Sequence, residues 1–313
     1  MEKDCTNSQT FEVEESQSRE RLDKFLASIY REQSRTFFQK LIKSGNVLVN
    51  EREIMKAGAT VDFGDIVTVF LPKQQSVEIA AENIPLDILY EDEDVLIVNK
   101  PKGMVVHPSA GHYSGTLVNA IMYHCADSLS GINGEIRPGI VHRIDMDTTG
   151  ALIVCKNDFA HVNIAEQIKE HSVTRKYRGI VCGVVKDDSG TIRGAIGRHP
   201  TQRKKMAINE KNGKPAVTHY KVLERFDQYT YMEFQLETGR THQIRVHMAS
   251  IQHPLLGDEV YGNPKSCTIK GLTGQTLHAM TIGFIHPRTQ MYMEFSAPLP
   301  EYFLQLLIKF RKQ

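Results

Sequence analysis

Beyond residue 84 the chain is a succession of short apolar runs bounded by turn residues, and this spacing restricts the folds open to it more than any other feature. ILYEDEDVLIVNKP, IVHRID, ALIVCKN, TRKYRGIVCGVV, AVTHYKVLERF and YMEFQLETG each carry β-branched or apolar clusters of strand length. Helical spacing is confined to TLVNAIMYH, HVNIAEQIKEH and EYFLQLLIKF. Strands outnumber helices and do not alternate with them regularly. That favours an α+β fold with a mixed, mainly antiparallel sheet over a doubly wound parallel one.

The amino-terminal stretch follows a different period. In RLDKFLASIY, Leu22, Phe25, Leu26 and Ile29 recur on one face of a helix. Ser34 is placed to cap a second helix, RTFFQKLIKSG, with Phe37, Phe38, Leu41 and Ile42 as its buried stripe and Gly45 as its stop. NVLVNEREI and GATVDFGDIVTVFLP then read as short strands, turned at Gly64-Asp65. KQQSVEIAAEN is polar and aperiodic. A chain of 313 residues exceeds what one core organises, giving about two domains. The expected division is a tail (1–18), a small helix-and-sheet domain (19–72), a linker (73–83) and a larger domain (84–313).

Charge narrows the partners. The net charge of +1 conceals an acidic start and local basic patches. The helix pair offers Arg21, Arg35, Lys40 and Lys43, while Arg203, Lys204 and Lys205 crowd a segment that turns at Asn212-Gly213. Such faces suit a phosphate backbone. Five scattered cysteines form no C-x-x-C pair, which argues against a disulfide framework and for a reducing compartment. No secretory or membrane-spanning segment is visible, so a cytoplasmic protein acting as a monomer is expected.

Residues 21 to about 70 resemble an S4 domain, the small RNA-binding module of a ribosomal protein and of several RNA-modifying enzymes. Ser34, Arg35, Ile42, Gly45, Val47, Val49 and Asn50 match its S-R-x-x-x-x-x-I-x-x-G-x-V-x-V-N pattern. The resemblance implies that RNA is the partner.

Chemistry has few places to reside. Neither a G-x-G-x-x-G nor a G-x-x-x-x-G-K-[ST] cradle is present, H-E-x-x-H is missing, and the histidines form no metal-ligand spacing. No cofactor and no metal are expected. Without a G-x-S-x-G elbow, carboxylates remain. HRIDMDTTG, residues 142 to 150, sits between the apolar runs GIV and ALIVC, read here as two strands joined by a loop. In an extended segment Arg143 and Asp145 would face the same way. A guanidinium within ~4–6 Å of an aspartate lowers its pKa by about 1–3 units, which suits a nucleophile and makes a poor general acid. A two-carboxylate hydrolase would need a second acid with a raised pKa. The neighbouring Asp147, followed by Thr148, Thr149 and Gly150, reads instead as a turn residue.

About a hundred residues on, TGRTHQIRVHM places Arg240, His242, Gln243 and Arg245 in one turn at the start of a helix whose Ile244, Met248 and Ile251 face inward. That is more polarity than a capped helix requires.

Together these segments resemble the RluA-type family of pseudouridine synthases over residues 84 to about 300. VNKPKGMVVHP, RPGIVHRIDMDTTG, RKYRGIV, TGRTHQIRVHM, HPLLGDEVYG and LHA match its successive motifs. The resemblance implies that Asp145 is the catalytic carboxylate, that Tyr177 stacks on the target base, that Arg245 pairs with the aspartate and that Arg143 helps open the RNA. His142, Arg240, His242 and Gln243 fall within the same motifs as substrate-binding candidates. RluD-like members of the family imply large-subunit ribosomal RNA as the target. One departure is Met146, where many relatives carry lysine. Pseudouridine formation breaks the N1–C1′ bond of uridine and rejoins the base through C5, which is redox-neutral and needs an ionised carboxylate. The alternative, a non-enzymatic S4-type ribosome-assembly protein, has no use for an HRID loop matched to a distant HQIR segment.

Overall fold

The computed structural model describes residues 7–30, 35–71, 79–109, 111–126, 128–132, 138–202, 205–263 and 267–312. The chain divides into two units, Met1–Ser76 and Val77–Gln313. Ser34, Arg203 and Lys204 lie outside the described residues.

In the first unit, apolar residues three and four apart fold into α1 (Leu22–Ile29) and α2 (Arg35–Lys43). Leu22, Phe25, Leu26, Phe38 and Ile42 are fully buried in their shared core, and Phe37 packs at its edge. The second helix stops at Gly45, whose φ of +72° lets its N–H reach the Ile42 carbonyl at 3.0 Å. Strands β1 (Asn7–Glu12) and β2 (Glu20–Arg21) precede the helices, and β3 (Val47–Val49), β4 (Arg52–Glu53), β5 (Thr60–Val61) and β6 (Ile66–Leu71) follow them. They pair as a four-stranded sheet in the order β1-β6-β3-β4, with β2 and β5 as a separate pair.

Asp23 organises the exposed face of this unit. Its side chain is fully buried and accepts hydrogen bonds from Arg21 (3.1 Å), Arg35 (3.1 Å) and Gln39 (2.7 Å). The Arg21 guanidinium, assisted by Arg35 and Gln39 and against the cost of burial, holds the Asp23 carboxyl far below the usual range. Two of the four basic residues singled out on the helix pair are thus tied to an internal anion, although both stay about half exposed. Lys40 and Lys43 are exposed.

The second unit is built on one branched sheet. Its strands are β7 (Ile88–Glu91), β8 (Val95–Lys100), β9 (Thr149–Cys155), β10 (Thr174–Cys182), β11 (Ser189–Arg193), β14 (Val217–Arg225), β15 (Tyr229–Leu236), β16 (Leu277–Ile285) and β17 (Tyr292–Ser296). β12 (Ile196–Arg198) and β13 (Met206–Ile208) form a separate hairpin. The order is β11-β14-β15-β10-β16-β9-β8-β7, with β17 paired to β16 beside β9. Among the described strands only β9 and β16 run parallel, at His278↔Thr149 and Ala279↔Gly150. The fold is α+β with a mainly antiparallel sheet.

Both faces are covered, which explains why the central strands read as unbroken apolar runs. Along β8, Leu96 and Val98 join the core under α3 (Leu117–Cys125) and α5 (Gln243–Ser250). The alternate residues Val95 and Ile97 pack toward α4 (Asp158–Lys169). Helix α6 (Glu301–Arg311) closes that second face against Ile180 and Cys182 of β10.

Two expectations are corrected here. IVHRID forms no strand: Ile140 makes a single bridge to Val154. The His142 ring explains why, since its Nε2 accepts the Ile153 N–H at 2.9 Å, filling with a side chain the place a neighbouring strand's carbonyl would take. Of the five cysteines, Cys182 and Cys267 form a disulfide, a pairing across 85 residues that wide scatter in sequence had argued against. Cys125 and Cys155 are buried thiols, and burial pushes that of Cys125 up to about 11.

Candidate active site

The HRIDMDTTG loop enters β9 through a tight turn in which the Thr148 N–H donates to the Asp145 carbonyl at 3.0 Å. Four clamps fix that turn. Lys100, 1% exposed, donates from Nζ to the carbonyls of Pro101 (2.7 Å), Met104 (2.8 Å) and Met146 (2.9 Å). The Gly103 N–H shares the Met146 carbonyl at 3.1 Å. Gln275 donates to the Thr148 hydroxyl at 3.1 Å, and Thr149 bonds His278 at 2.8 Å. Burial pushes the Lys100 ammonium down to about 7, partly opposed by Asp147 and Asp145. The paired acids of the motif then part company: Asp147 also supports the charge of Lys102, while Asp145 turns toward a cleft.

There the partner is Arg245, a hundred residues away in sequence. Its Nη1 donates to Asp145 Oδ2 at 2.9 Å, with side chains 7% and 19% exposed. Arg245 is itself held by Asp258, fully buried, through Nε–Oδ2 at 2.6 Å and Nη2–Oδ1 at 3.0 Å. Asp258 also accepts the backbone N–H groups of Val260 and Tyr261. One guanidinium thus bridges two carboxylates: the bidentate one fixes its plane, and the single bond presents Asp145. Among the described residues no ion pair joins Arg143 to Asp145. The i, i+2 rule fails because the segment is not a strand. Arg143 is exposed, and its Nη1 reaches only His107, at 3.4 Å.

His242 occupies a left-handed position (φ +57°) as the N-cap of α5. Its Nε2 stands 3.9 Å from Asp145 Oδ1. Its Nδ1 lies 2.8 Å from the Tyr261 hydroxyl, which already accepts the Met206 N–H at 2.8 Å. The hydroxyl hydrogen is therefore free to donate to Nδ1, leaving Nε2 to carry the proton toward Asp145. Burial keeps this imidazole below the usual histidine range, so it is neutral at pH 7.

The cleft has a volume of about 530 Å³, within the span of small-ligand sites. It brings Asp145 together with Tyr177, His142, Arg143, Arg240, His242, Gln243 and Arg245. Not all of them are available to a ligand. Gln243 accepts from Thr238 and Arg240 and donates to Val217 and Thr218, which uses the full capacity of its amide. It pins α5 to the sheet. His142 spends Nε2 on Ile153, and burial pushes it down to about 3. Arg240 leans on the Pro215 carbonyl. Asp258, Tyr261 and Lys100 fall inside the motifs HPLLGDEVYG and VNKPKGMVVHP, but residue type and spacing alone give them no role. Burial and partnership, which only the fold supplies, identify them.

One other acidic group among the described residues, Asp92, Asp94 and His286, has metal-like spacing. Asp94 is paired bidentately with Arg288, and Asp92 accepts from Tyr90, His286 and two backbone N–H groups. It is an ion-pair network joining the β7–β8 turn to the β16–β17 turn.

This geometry has known relatives. The family model described as RNA pseudouridylate synthase matches residues 94–250, and that of the S4 domain matches residues 20–67. An uncharacterized RNA pseudouridine synthase of Bacillus subtilis, YlyB, is 53% identical over 95% of this chain and 96% of its own length. The ribosomal large subunit pseudouridine synthase D of Zymomonas mobilis is 46% identical, covering 92% of this chain and 93% of its own. Among solved structures, human RNA pseudouridylate synthase domain containing 1 superposes with a TM-score of 0.56 at 26% identity, covering 77% of this chain and 98% of that one. The chain belongs to the RNA pseudouridylate synthase family: it is an RNA pseudouridine synthase carrying an S4 domain. No helix among the described residues is long and apolar enough to cross a membrane.

Proposed function

We propose that this enzyme isomerises uridine in large-subunit ribosomal RNA, with Asp145 as the catalytic carboxylate. One observation carries the assignment: Asp145 is a half-buried acid hydrogen-bonded by Arg245 at 2.9 Å, in the cleft that also holds Tyr177. The isomerisation breaks N1–C1′, forms C5–C1′, removes the C5 proton and returns a proton to N1. Attack by the carboxylate at C1′ and removal of a sugar proton both require the ionised acid, and both release uracil as an anion.

The target must leave its stack, at a cost of a few kcal/mol. Stacking on Tyr177 would return about 1–3 kcal/mol, so the two nearly balance and no external energy source is required. Arg143, exposed at the rim, is placed to hold the opened strand. Arg240 supports the same wall, and the His242 Nε2–H steadies the carboxylate. In the other unit Lys40 and Lys43, with the outer edges of Arg21 and Arg35, would meet the phosphate backbone, as would Lys205 with Arg203 and Lys204 on the basic segment. Residues 19–72 act as the RNA-binding domain and 84–313 as the catalytic domain, in a cytoplasmic monomer. The ribosomal target follows from the relatives named ribosomal large subunit pseudouridine synthase D.

The test is a pseudouridine map of RNA from cells with and without the protein. Large-subunit sites should disappear, return with the wild-type chain and stay absent with Asp145→Asn. Losses confined to transfer RNA would overturn the target, and rescue by Asp145→Asn would overturn the carboxylate.

A further inference from the structure

Two arginines are buried among the described residues, and they are treated differently. Arg245 is neutralised by two carboxylates. Arg175, 6% exposed, has no carboxylate within ion-pair distance among the described residues. Its single hydrogen bond is a long one, Nη2 to the Glu237 carbonyl at 3.3 Å, and its buried Nε has no partner. The contrast with Lys100, whose ammonium meets three carbonyls, is sharp. A buried cation left this bare is expensive unless something enters to meet it.

Arg175 lines the catalytic cleft. It lies two residues before Tyr177 on β10, so both side chains rise from the same face of the sheet. Space is kept for it: a Cβ on Gly239 would stand 2.6 Å from Nη1. We infer that Arg175 donates to a carbonyl oxygen of the flipped uracil and stabilises the anion that the base becomes when N1–C1′ breaks. This rests on the uridine pocket proposed above. The electron pair of the broken bond passes to the ring and spreads over N1, O2 and O4, and a guanidinium beside O2 or O4 meets that charge where water is excluded. A backbone phosphate is the other anion an RNA could supply. Phosphates stay outside when a base is flipped inward, however, and the exposed rim already offers Arg143. Arg175 stands at the floor, beside the base platform.

The experiment uses the full chain and total RNA from cells lacking the protein, with uridine tritiated at C5. Arg175→Met keeps the volume and removes the charge. Single-turnover tritium release should fall about 100-fold, the usual effect of deleting one oxyanion donor. RNA affinity and its salt slope should be unchanged, and the melting temperature should be equal or higher because an unpaired buried charge is gone. Arg175→Lys should recover part of the rate. A wild-type rate in Arg175→Met overturns the inference. So does an affinity loss with the salt slope reduced by about one, which would mark a phosphate partner, or a fall in melting temperature that accounts for the lost rate. Asp145→Asn run in parallel separates the two proposals: an active Asp145→Asn enzyme defeats the carboxylate reading, whereas an inactive one alongside a fully active Arg175→Met defeats only the inference.

Discussion

Asp258 never faces the cleft, yet it decides how Arg245 presents itself. With both Nε and Nη2 spent on Asp258, only Nη1 is left for Asp145. Asp258→Asn keeps the size but not the bidentate anion, and it should lower the single-turnover rate 10- to 100-fold, as outer-shell changes do. RNA affinity should be unaltered, and a rate within twofold of wild type would show that the Arg245 plane is fixed by something else. At this scale the sequence was half readable. Asp145 stood out because its motif is dense in charge. Its partner Arg245 was named only through the family resemblance, since adjacency alone favoured Arg143, and adjacency holds only in an extended strand, which His142 prevents by placing its ring against Ile153. Arg175 was invisible for a different reason: nothing in a strand of mixed charge reveals which arginine is buried alone.

Elements were more legible than contacts. Both amino-terminal helices, the Gly45 stop and most strands followed from periodicity and turn chemistry, because those signals are local. The branch point was not legible, since β9 meets β16 across 129 residues at its first two positions. Gly150, with φ of +109°, makes that junction possible: a Cβ there would fall 2.2 Å from the Ala279 carbonyl oxygen. Gly150→Ala should therefore cost about 3–5 kcal/mol, read as a lower urea midpoint, and the turn bearing Asp145 should lose hydrogen-exchange protection with it. In the helix pair, the Asp23 carboxyl is held below its ordinary range chiefly by Arg21. A depressed folded-state pKa contributes stability above the unfolded value of about 4, and that stability is lost as pH falls below it. Asp23→Asn should thus destabilise α1 and α2 by about 2 kcal/mol at pH 7, discounted for the half-exposed arginines. The gap to wild type should narrow between pH 4 and 2; amide exchange in the two helices measures it, and a gap independent of pH would contradict the linkage.

At the scale of the whole molecule, the proposed function assigns binding to one unit and chemistry to the other. Removing Met1–Ser76 takes away the S4 fold with its exposed Lys40 and Lys43 and leaves every cleft residue in place. Affinity for long structured RNA should drop at least 10-fold and become less salt-sensitive, while the rate at saturating RNA stays within threefold. Equal losses in both would mean the S4 unit also shapes the cleft. The near-neutral total charge gave no hint of this arrangement, because the acidic start offsets the basic faces in the sum.

The Lys100 ammonium ties together carbonyls from two stretches of chain that the sequence holds far apart. A turn fastened at that depth has little freedom to advance on its target, so Asp145, if it is the carboxylate proposed above, waits in one place and the nucleic acid must do the moving. Turnover should then follow how easily a given uridine swings out of its helix: a bulged or mispaired target would react faster than the same nucleotide in a perfect duplex, with no change to the protein at all.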